Sequence, residues 1–256
     1  MQLSSGGEGN SAIRGGGPGR ALMPWAGTGR VISESGPPTL AIGALESFPV
    51  AFQESLFDAV QPAVDSSFSG VDRIKLDEES WLDYEPEWVR GSDRLFEAVL
   101  KTRTWAQRTR WMYDKNVLEP RLTAYWGLGT GVPLEPRLLE EMRACLSERY
   151  GVEFDSLGFN LYRDGQDAVA WHRDKIRKEI SEPVVPLVSL GERRRFLIRP
   201  RGGGSSRVFF LGRGDLLVTG GKTQRAWEHS VPRVAHAPAR ISIAFRHGMD
   251  SRAYGR

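Results

Sequence analysis

The stretch that decides the fold is FDSLGFNLYRDGQDAVAWHRD, residues 154–174. It contains two short strand-like runs, FDSLGFNLY and DAVAWHRD, on either side of the turn pair Asp164-Gly165. Five similar runs follow it, VVPLVSLG, RRFLIR, RVFFLG, DLLVTGG and ARISIAFR, with glycine-containing turns among them. Several short strands at this spacing predict a sandwich or jelly roll.

Two amphipathic helices are predicted upstream of these strands. The first begins at GSDRLFEAVLKT, where Ser92 is a suitable N-cap residue and Leu95, Phe96, Val99 and Leu100 share one face. The second opens near Pro136 and closes at Gly151. Its apolar stripe consists of Leu138, Leu139, Met142, Cys145, Leu146 and Tyr150. The predicted fold class is therefore α+β, mainly β, with a jelly-roll core and a helical N-terminal buttress.

The composition divides the chain into a tail and one domain. Residues 1–40 are rich in Gly, Ser and Pro and cannot bury enough apolar surface to offset chain entropy, so they are predicted to be disordered. Residues 41–250 are predicted to form a single domain, with the buttress in 41–150 and the jelly-roll core in 151–250.

Composition also limits the class of protein. No apolar run approaches the roughly 20 residues that a membrane helix needs, so no membrane association is expected. The single cysteine, Cys145, excludes an internal disulfide and fits a cytoplasmic location. Between Arg193 and Arg213 there are seven arginines and no acid. Such a run suits a phosphate backbone, and it equally suits a solvated hairpin.

The histidine and the aspartate at the end of the opening stretch have a spacing that suits a metal site. On a strand, His172 and Asp174 point to the same face because side chains alternate. One imidazole and one carboxylate supply two of the three ligands of a facial iron site, and a second histidine would complete it. The candidates are His229, His236 and His247, of which His229 is preferred because it follows a strand and a glycine turn.

Polar residues at even offsets predict a cationic pocket beside that site. Arg240 and Arg246 lie on one predicted strand with Ser242 between them. Asn160 and Tyr162 share a face of another strand. Two arginines within a strand are costly unless they meet an anion, and a dicarboxylate would satisfy them.

The motifs NLYRDG, WHRD, VSLG, GDLLVTGG, WEHSVP and RISIAFR, in this order, resemble the AlkB family of iron(II)- and 2-oxoglutarate-dependent dioxygenases. The resemblance implies a double-stranded β-helix, a variant of the jelly roll. It also implies that Fe(II), 2-oxoglutarate and O2 are required. By resemblance, His172, Asp174 and His229 are the catalytic metal ligands. The 2-oxoglutarate site would consist of Asn160, Tyr162, Arg240, Ser242 and Arg246.

The resemblance further implies oxidative dealkylation of N-alkylated bases in DNA or RNA, with release of formaldehyde, succinate and CO2. The target base must be single-stranded or flipped to reach an enclosed iron. EPRLTAYWG resembles the family's nucleotide-recognition region, and from it Arg121, Tyr125 and Trp126 are predicted to bind substrate. A monomer is expected.

Two alternatives stay open. Ile176 stands where well-known members carry an acid that contacts the base, which leaves room for the same iron chemistry on a protein side chain or a small metabolite. The other alternative is a catalytically inert jelly roll that only binds nucleic acid.

Overall fold

The computed structural model describes residues 61–112 and 114–249. The tail predicted at residues 1–40 lies outside the described residues. The strands are β1 (Ala63–Val64), β2 (Asp72–Lys75), β3 (Ser80–Glu85), β4 (Val89–Arg90), β5 (Thr109–Met112), β6 (Lys115–Leu118), β7 (Leu122–Gly127), β8 (Phe154–Tyr162), β9 (Val169–His172), β10 (Val185–Gly191), β11 (Arg194–Pro200), β12 (Arg207–Leu211), β13 (Asp215–Gly221), β14 (Trp227–Val231) and β15 (Arg240–His247). The helices are α1 (Ser92–Thr102), α2 (Leu138–Tyr150) and α3 (Thr223–Ala226).

Two antiparallel sheets form the jelly roll. The major sheet has the order β2-β3-β13-β10-β15-β8-β7, and the minor sheet has the order β12-β11-β14-β9. From β8 onward the chain passes back and forth between the two sheets, as a double-stranded β-helix requires. The predicted jelly-roll fold is confirmed, and all seven predicted runs contain a strand.

The major sheet separates two hydrophobic clusters. One cluster lies between the sheets and includes Leu82 and Leu217 from the major sheet with Phe196 and Ile198 from the minor sheet. The other cluster joins the major sheet to α1 and α2. A central strand such as β15 is therefore buried on both faces for most of its length.

The two helices are present, with small corrections at their starts. Leu95, Phe96 and Val99 of α1 are buried, as the pattern predicts. The residue that caps α1 is Gly91, in a left-handed conformation, so the prediction of Ser92 as N-cap was wrong by one position. In α2 the buried residues are Leu139, Met142 and Leu146, and the helix ends at Gly151 as predicted.

The prediction of a helical N-terminal layer was incomplete, because β2, β3 and β7 from this region extend the major sheet. In β3 the alternation of apolar and polar residues that would predict a strand is obscured, because two of its buried residues are acids, Asp83 and Glu85. Asp83 is buried and accepts hydrogen bonds from Arg73 and from the Tyr150 hydroxyl. A carboxylate with such partners is stable inside a fold, yet in a sequence it signals an exposed position.

Among the described residues, no helix combines the length and the apolar character needed to cross a membrane.

Candidate active site

A cavity of about 510 Å³ lies between the two sheets. It is lined by residues of β8 and β15 on one side and of β9, β11 and β14 on the other. All but one of the predicted site residues line it. These are Arg121, Tyr125, Asn160, Tyr162, His172, Asp174, His229, Arg240, Ser242 and Arg246.

The three predicted metal ligands lie together in this cavity. His172 ends β9 and is paired in register with His229 of β14. Their ring centroids are 4.3 Å apart, and Nε2 of His229 is 3.9 Å from Oδ2 of Asp174. The two alternative histidines lie elsewhere, since His236 is exposed in a loop and His247 accepts the backbone N–H of Val184.

Both imidazoles fit the ligand form that a metal needs. Nδ1 of His172 is 2.9 Å from the carbonyl oxygen of Ala170. A proton on Nδ1 would donate to that oxygen and leave Nε2 free to bind a cation. Burial, followed by the neighbouring His172, lowers the pKa of His229 to about 3, so its ring is neutral at physiological pH. Phe196 stacks on the His229 ring with centroids 5.1 Å apart.

The carboxylate of Asp174 is held by an arginine. Burial raises the pKa of Asp174, but Arg246 together with His229 and His172 outweighs burial, and the net pKa lies below its usual value. Nη2 of Arg246 donates to Oδ1 at 2.6 Å, and the backbone N–H of Asp174 donates to Oε1 of Gln224 at 3.0 Å. Within residues 61–112 and 114–249, no three His, Cys, Asp or Glu side chains already form a metal-ligand set. The three side chains are neighbours without yet being at ligand distances, with Oδ2 of Asp174 towards His229 and Oδ1 engaged by Arg246.

Arg240 supplies a buried cation to the lining of the cavity. It is fully buried, and it donates from Nη2 to Oγ of Ser189 at 2.7 Å and from Nε to the carbonyl of Leu211 at 3.2 Å. Burial lowers its pKa. Nη1 makes no hydrogen bond to any described residue. A buried guanidinium N–H without an acceptor is costly, so this site suits the carboxylate of a ligand.

A row of polar side chains crosses from β15 to β7. Ser242 is opposite Asn160 in register, and Asn160 Nδ2 lies 3.5 Å from the Ser242 hydroxyl. Arg121 donates from Nε to Oδ1 of Asn160 at 2.9 Å and pairs with Glu119 at 3.0 Å. The guanidinium of Arg121 therefore orients Asn160, and its charge is balanced within the fold.

A sequence profile described as the 2OG-Fe(II) oxygenase superfamily matches residues 92–246, which is more than half of the chain. The chain belongs to this superfamily.

Curated relatives of this 2OG-Fe(II) oxygenase confirm the AlkB resemblance. Alpha-ketoglutarate-dependent dioxygenase alkB homolog 3 of Homo sapiens is 32% identical over 177 residues, which cover 62% of this chain and 62% of the relative. DNA oxidative demethylase ALKBH2 of Arabidopsis thaliana is 28% identical over 204 residues, which cover 65% of this chain and 63% of the relative. The chain thus spans less than two thirds of the length of these relatives. The solved structure of OsALKBH1 covers 69% of this chain and 100% of its own, with a TM-score of 0.49 and 15% identity.

On the substrate side of this oxygenase, the structure separates the two predicted aromatic residues. Tyr125 lines the cavity, whereas Trp126 is 5% exposed, packs in the helix-side core and donates from Nε1 to the Val132 carbonyl at 2.7 Å. Neighbouring residues on a strand point to opposite faces, so only one of the pair can reach the cavity. The prediction of Trp126 as a substrate contact is corrected accordingly.

Several residues that shape the oxygenase site were missed from the sequence. Arg194 is 2% exposed and donates to the carbonyls of Asp164, Asp167 and Pro232, which fixes the β8–β9 and β14–β15 loops at one end of the sandwich. Its even offset from the inward-facing Phe196 was the available signal. By contrast, nothing in the sequence marks the long-range contact between Gln224 and Asp174.

Gly158 of β8 makes room for the arginine that holds Asp174. A Cβ atom at this position would overlap Nη1 of Arg246. A glycine inside a strand can mark a close approach of this kind.

Proposed function

We propose that the chain is an Fe(II)- and 2-oxoglutarate-dependent dioxygenase that removes alkyl groups from nucleobase nitrogens in DNA or RNA, as a repair of alkylation damage. The observation that carries the proposal is the convergence of His172, Asp174 and His229 in one cavity with the unpaired Nη1 of Arg240. The AlkB relatives support the choice of a nucleic-acid substrate.

The residues present fit the group that the family implies. His172, His229 and Asp174 would hold Fe(II), because two neutral imidazoles and one carboxylate are the donor set of a facial iron site. Arg240 would hold the distal carboxylate of 2-oxoglutarate, with Tyr162 beside it. When bound, iron, 2-oxoglutarate and dioxygen supply the oxidation that hydroxylates the alkyl carbon and yields succinate and CO2.

The chain's own residues orient and enclose these reactants. Arg246 and Gln224 fix the Asp174 carboxylate and backbone, and Phe196 packs against the His229 ring. For an N-methyl substrate, the N-hydroxymethyl product loses formaldehyde and the ring nitrogen recovers its proton. The residues between the sheets then serve mainly to hold the alkyl carbon in register with the metal.

The mouth of the cavity suits a base presented on a strand. Leu118, which is 59% exposed, and Tyr125 offer apolar and aromatic surface. Arg108, Arg173 and Lys175 are exposed cations on the same lining. These cations would contact phosphates, so binding is expected to weaken steeply with salt. Because the cavity lies between two sheets, the base must be single-stranded or flipped out of a duplex.

Product analysis tests the proposal. The protein is supplied with Fe(II) and 2-oxoglutarate and incubated with single-stranded and duplex oligonucleotides that carry different methylated bases. Formaldehyde, succinate and the restored base should appear in equal amounts. If restored base is absent from every oligonucleotide while protein or metabolite substrates are turned over, the iron chemistry belongs to another substrate, which is the alternative raised by Ile176.

Anaerobic titration with Fe(II) and 2-oxoglutarate separates an enzyme from an inert binder. We expect the weak visible charge-transfer band that the AlkB resemblance implies. A protein that binds oligonucleotides but develops no such band is not the proposed enzyme. The monomeric state and the cytoplasmic location stay predictions.

A further inference from the structure

The outward face of the minor sheet combines exposed aromatic, apolar and cationic side chains. We call this face the outer platform and define it as Trp171, Arg195, Leu197, Arg199, Val208 and Phe210. These residues lie on one face of the sheet because side chains alternate between the two faces along each strand. Phe196 and Ile198 of β11 point inward and are buried, so Arg195, Leu197 and Arg199 point outward.

The neighbouring strands continue the platform on both sides of β11. Phe210 of β12 is opposite Arg195, and Val208 is opposite Leu197. Phe210 is 58% exposed and Val208 is 44% exposed, which are high values for side chains of this kind. Their pairing with Arg195 and Leu197 makes one patch of rings, aliphatic carbon and positive charge.

The charge of the platform is positive. Arg195 is exposed and forms no ion pair with any residue of the described ranges. Arg199 pairs with Glu228 at 2.7 Å, which neutralises the acid that β14 contributes to this face. Exposed Arg201 and Arg213 lie just outside the strands that carry the platform. Arg194 and Arg207 point to the other face of the sheet, where Arg194 is buried and Arg207, opposite the inward-facing Ile198, donates to the carbonyl of Lys75.

Trp171 connects the platform to the cavity. The guanidinium of Arg199 lies 3.9 Å from the centroid of the Trp171 ring, so this tryptophan belongs to the outer platform. It also lines the cavity and immediately precedes the candidate ligand His172. In the order β12-β11-β14-β9, three strand spacings separate Phe210 from Trp171, about 14 Å across the sheet. A ligand that crosses the platform therefore ends at the cavity.

A single nucleic-acid strand has the chemistry that matches this surface. Bases stack on exposed aromatic rings whatever their sequence, and arginines pair with the phosphates between them. An acidic protein surface would form ion pairs with the arginines but would offer no planar group to stack on the ring of Phe210. A purely apolar partner would leave Arg195 without an anion.

We propose that the outer platform binds the strand that flanks the target base and leads it to the cavity. The inference rests on the proposed function, because it takes the substrate to be a nucleic acid. It assigns to Phe210 and Arg195 a stacking contact and a phosphate contact that lie outside the cavity.

The test compares the double variant Phe210→Ala/Arg195→Glu with wild type and with Arg94→Glu. Arg94 is exposed on α1, which packs on the major sheet, so it carries a matched charge reversal away from the platform. Binding of an unmodified fluorescent 20-nucleotide single strand is measured by anisotropy at several salt concentrations. We expect the double variant to bind about fivefold or more weakly, with a shallower salt dependence, and Arg94→Glu to behave as wild type.

A second readout uses turnover. The kcat/KM of wild type should be higher on a methylated 20-mer than on a methylated trinucleotide, and the double variant should lose this preference. Two results would overturn the proposed role of the outer platform. One is equal affinity of wild type and double variant for the 20-nucleotide strand. The other is a dimer of wild type that Phe210→Ala dissociates.

The same measurements separate this role from the proposed function. If the double variant loses affinity but wild type dealkylates no oligonucleotide, the proposed function fails and the role of the platform stands. If both proteins dealkylate the 20-mer with equal kcat/KM, the proposed function stands and the role of the platform fails.

Discussion

At the scale of single residues, the candidate site depends on rows of side chains that a strand points inward. Arg240, Ser242 and Arg246 lie at even offsets on β15, and each lines the cavity. The same parity could be read from the sequence, which is why these residues were predicted. The pairing of Arg246 with Asp174 could not be predicted, because it joins positions 72 residues apart.

We expect His172→Ala to abolish Fe(II) binding while the fold is retained, because His172 is one of two imidazoles in the trio. Isothermal titration under anaerobic conditions measures the binding, and circular dichroism checks the fold. The matched control is His236→Ala, which removes an exposed histidine of a loop. Equal Fe(II) affinity in the two variants would show that the ligand assignment is wrong.

Arg240→Lys should raise the KM for 2-oxoglutarate by about tenfold or more, because hydrogen bonds to charged groups contribute strongly and a lysine cannot reproduce the forked geometry. The KM for the nucleic-acid substrate should change far less. Steady-state kinetics with each substrate varied in turn make the comparison, with Arg233→Lys, an exposed position, as the control. An unchanged KM for 2-oxoglutarate contradicts this role of Arg240.

At the scale of elements, patterns of apolar and turn residues were sufficient where each strand is a clean run. The predicted runs FDSLGFNLY and DLLVTGG coincide with β8 and β13. The strand β14 was missed because WEHSV places a glutamate and a histidine among its five residues. Glu228 pairs with Arg199 of the neighbouring strand, and His229 belongs to the candidate metal site. Both contacts involve other strands, so the pattern of residues along β14 alone does not reveal them.

Gly214, in the turn between β12 and β13, tests how tightly the elements are joined. It has a φ of +95°, and an added Cβ would overlap the carbonyl oxygen of Val89. Gly131 has a φ of +68° and open space around its Cα. We expect Gly131→Ala to lower the free energy of unfolding by about 1 kcal/mol, and Gly214→Ala to cost about 1–3 kcal/mol more. Urea denaturation gives both values, and equal losses would rule out the steric explanation.

At the scale of the whole molecule, the protein is a sandwich in which buried acids interrupt otherwise apolar layers. Glu85 is 4% exposed and accepts the Gly70 N–H at 3.3 Å through Oε1. Its Oε2 makes no hydrogen bond to a described residue. Burial raises the pKa of Glu85. The folded protein therefore holds this proton more tightly than the unfolded chain, and stability falls as pH rises from about 4.3 through the folded-state pKa.

Glu85→Gln should accordingly be more stable than wild type at pH 8, with a smaller difference at pH 4. The melting temperatures of both proteins at the two pH values measure the effect. Glu148→Gln, at an exposed position of α2, is the control and should show no such pH dependence. A constant difference between wild type and Glu85→Gln at both pH values would mean that ionisation of Glu85 does not oppose folding.

The three hydrogen bonds that Arg194 donates to backbone carbonyl oxygens have a consequence for the surroundings of the candidate site. One guanidinium ties the β8–β9 connection, at Asp164 and Asp167, to Pro232 in the connection that leaves β14. Arg240, at the start of β15, lies on the same side. Both guanidinium groups lie near the Tyr162 ring, 5.8 Å from its centroid for Arg194 and 5.2 Å for Arg240. Loss of the Arg194 side chain should therefore disturb the surroundings of Arg240 as well as the two connections.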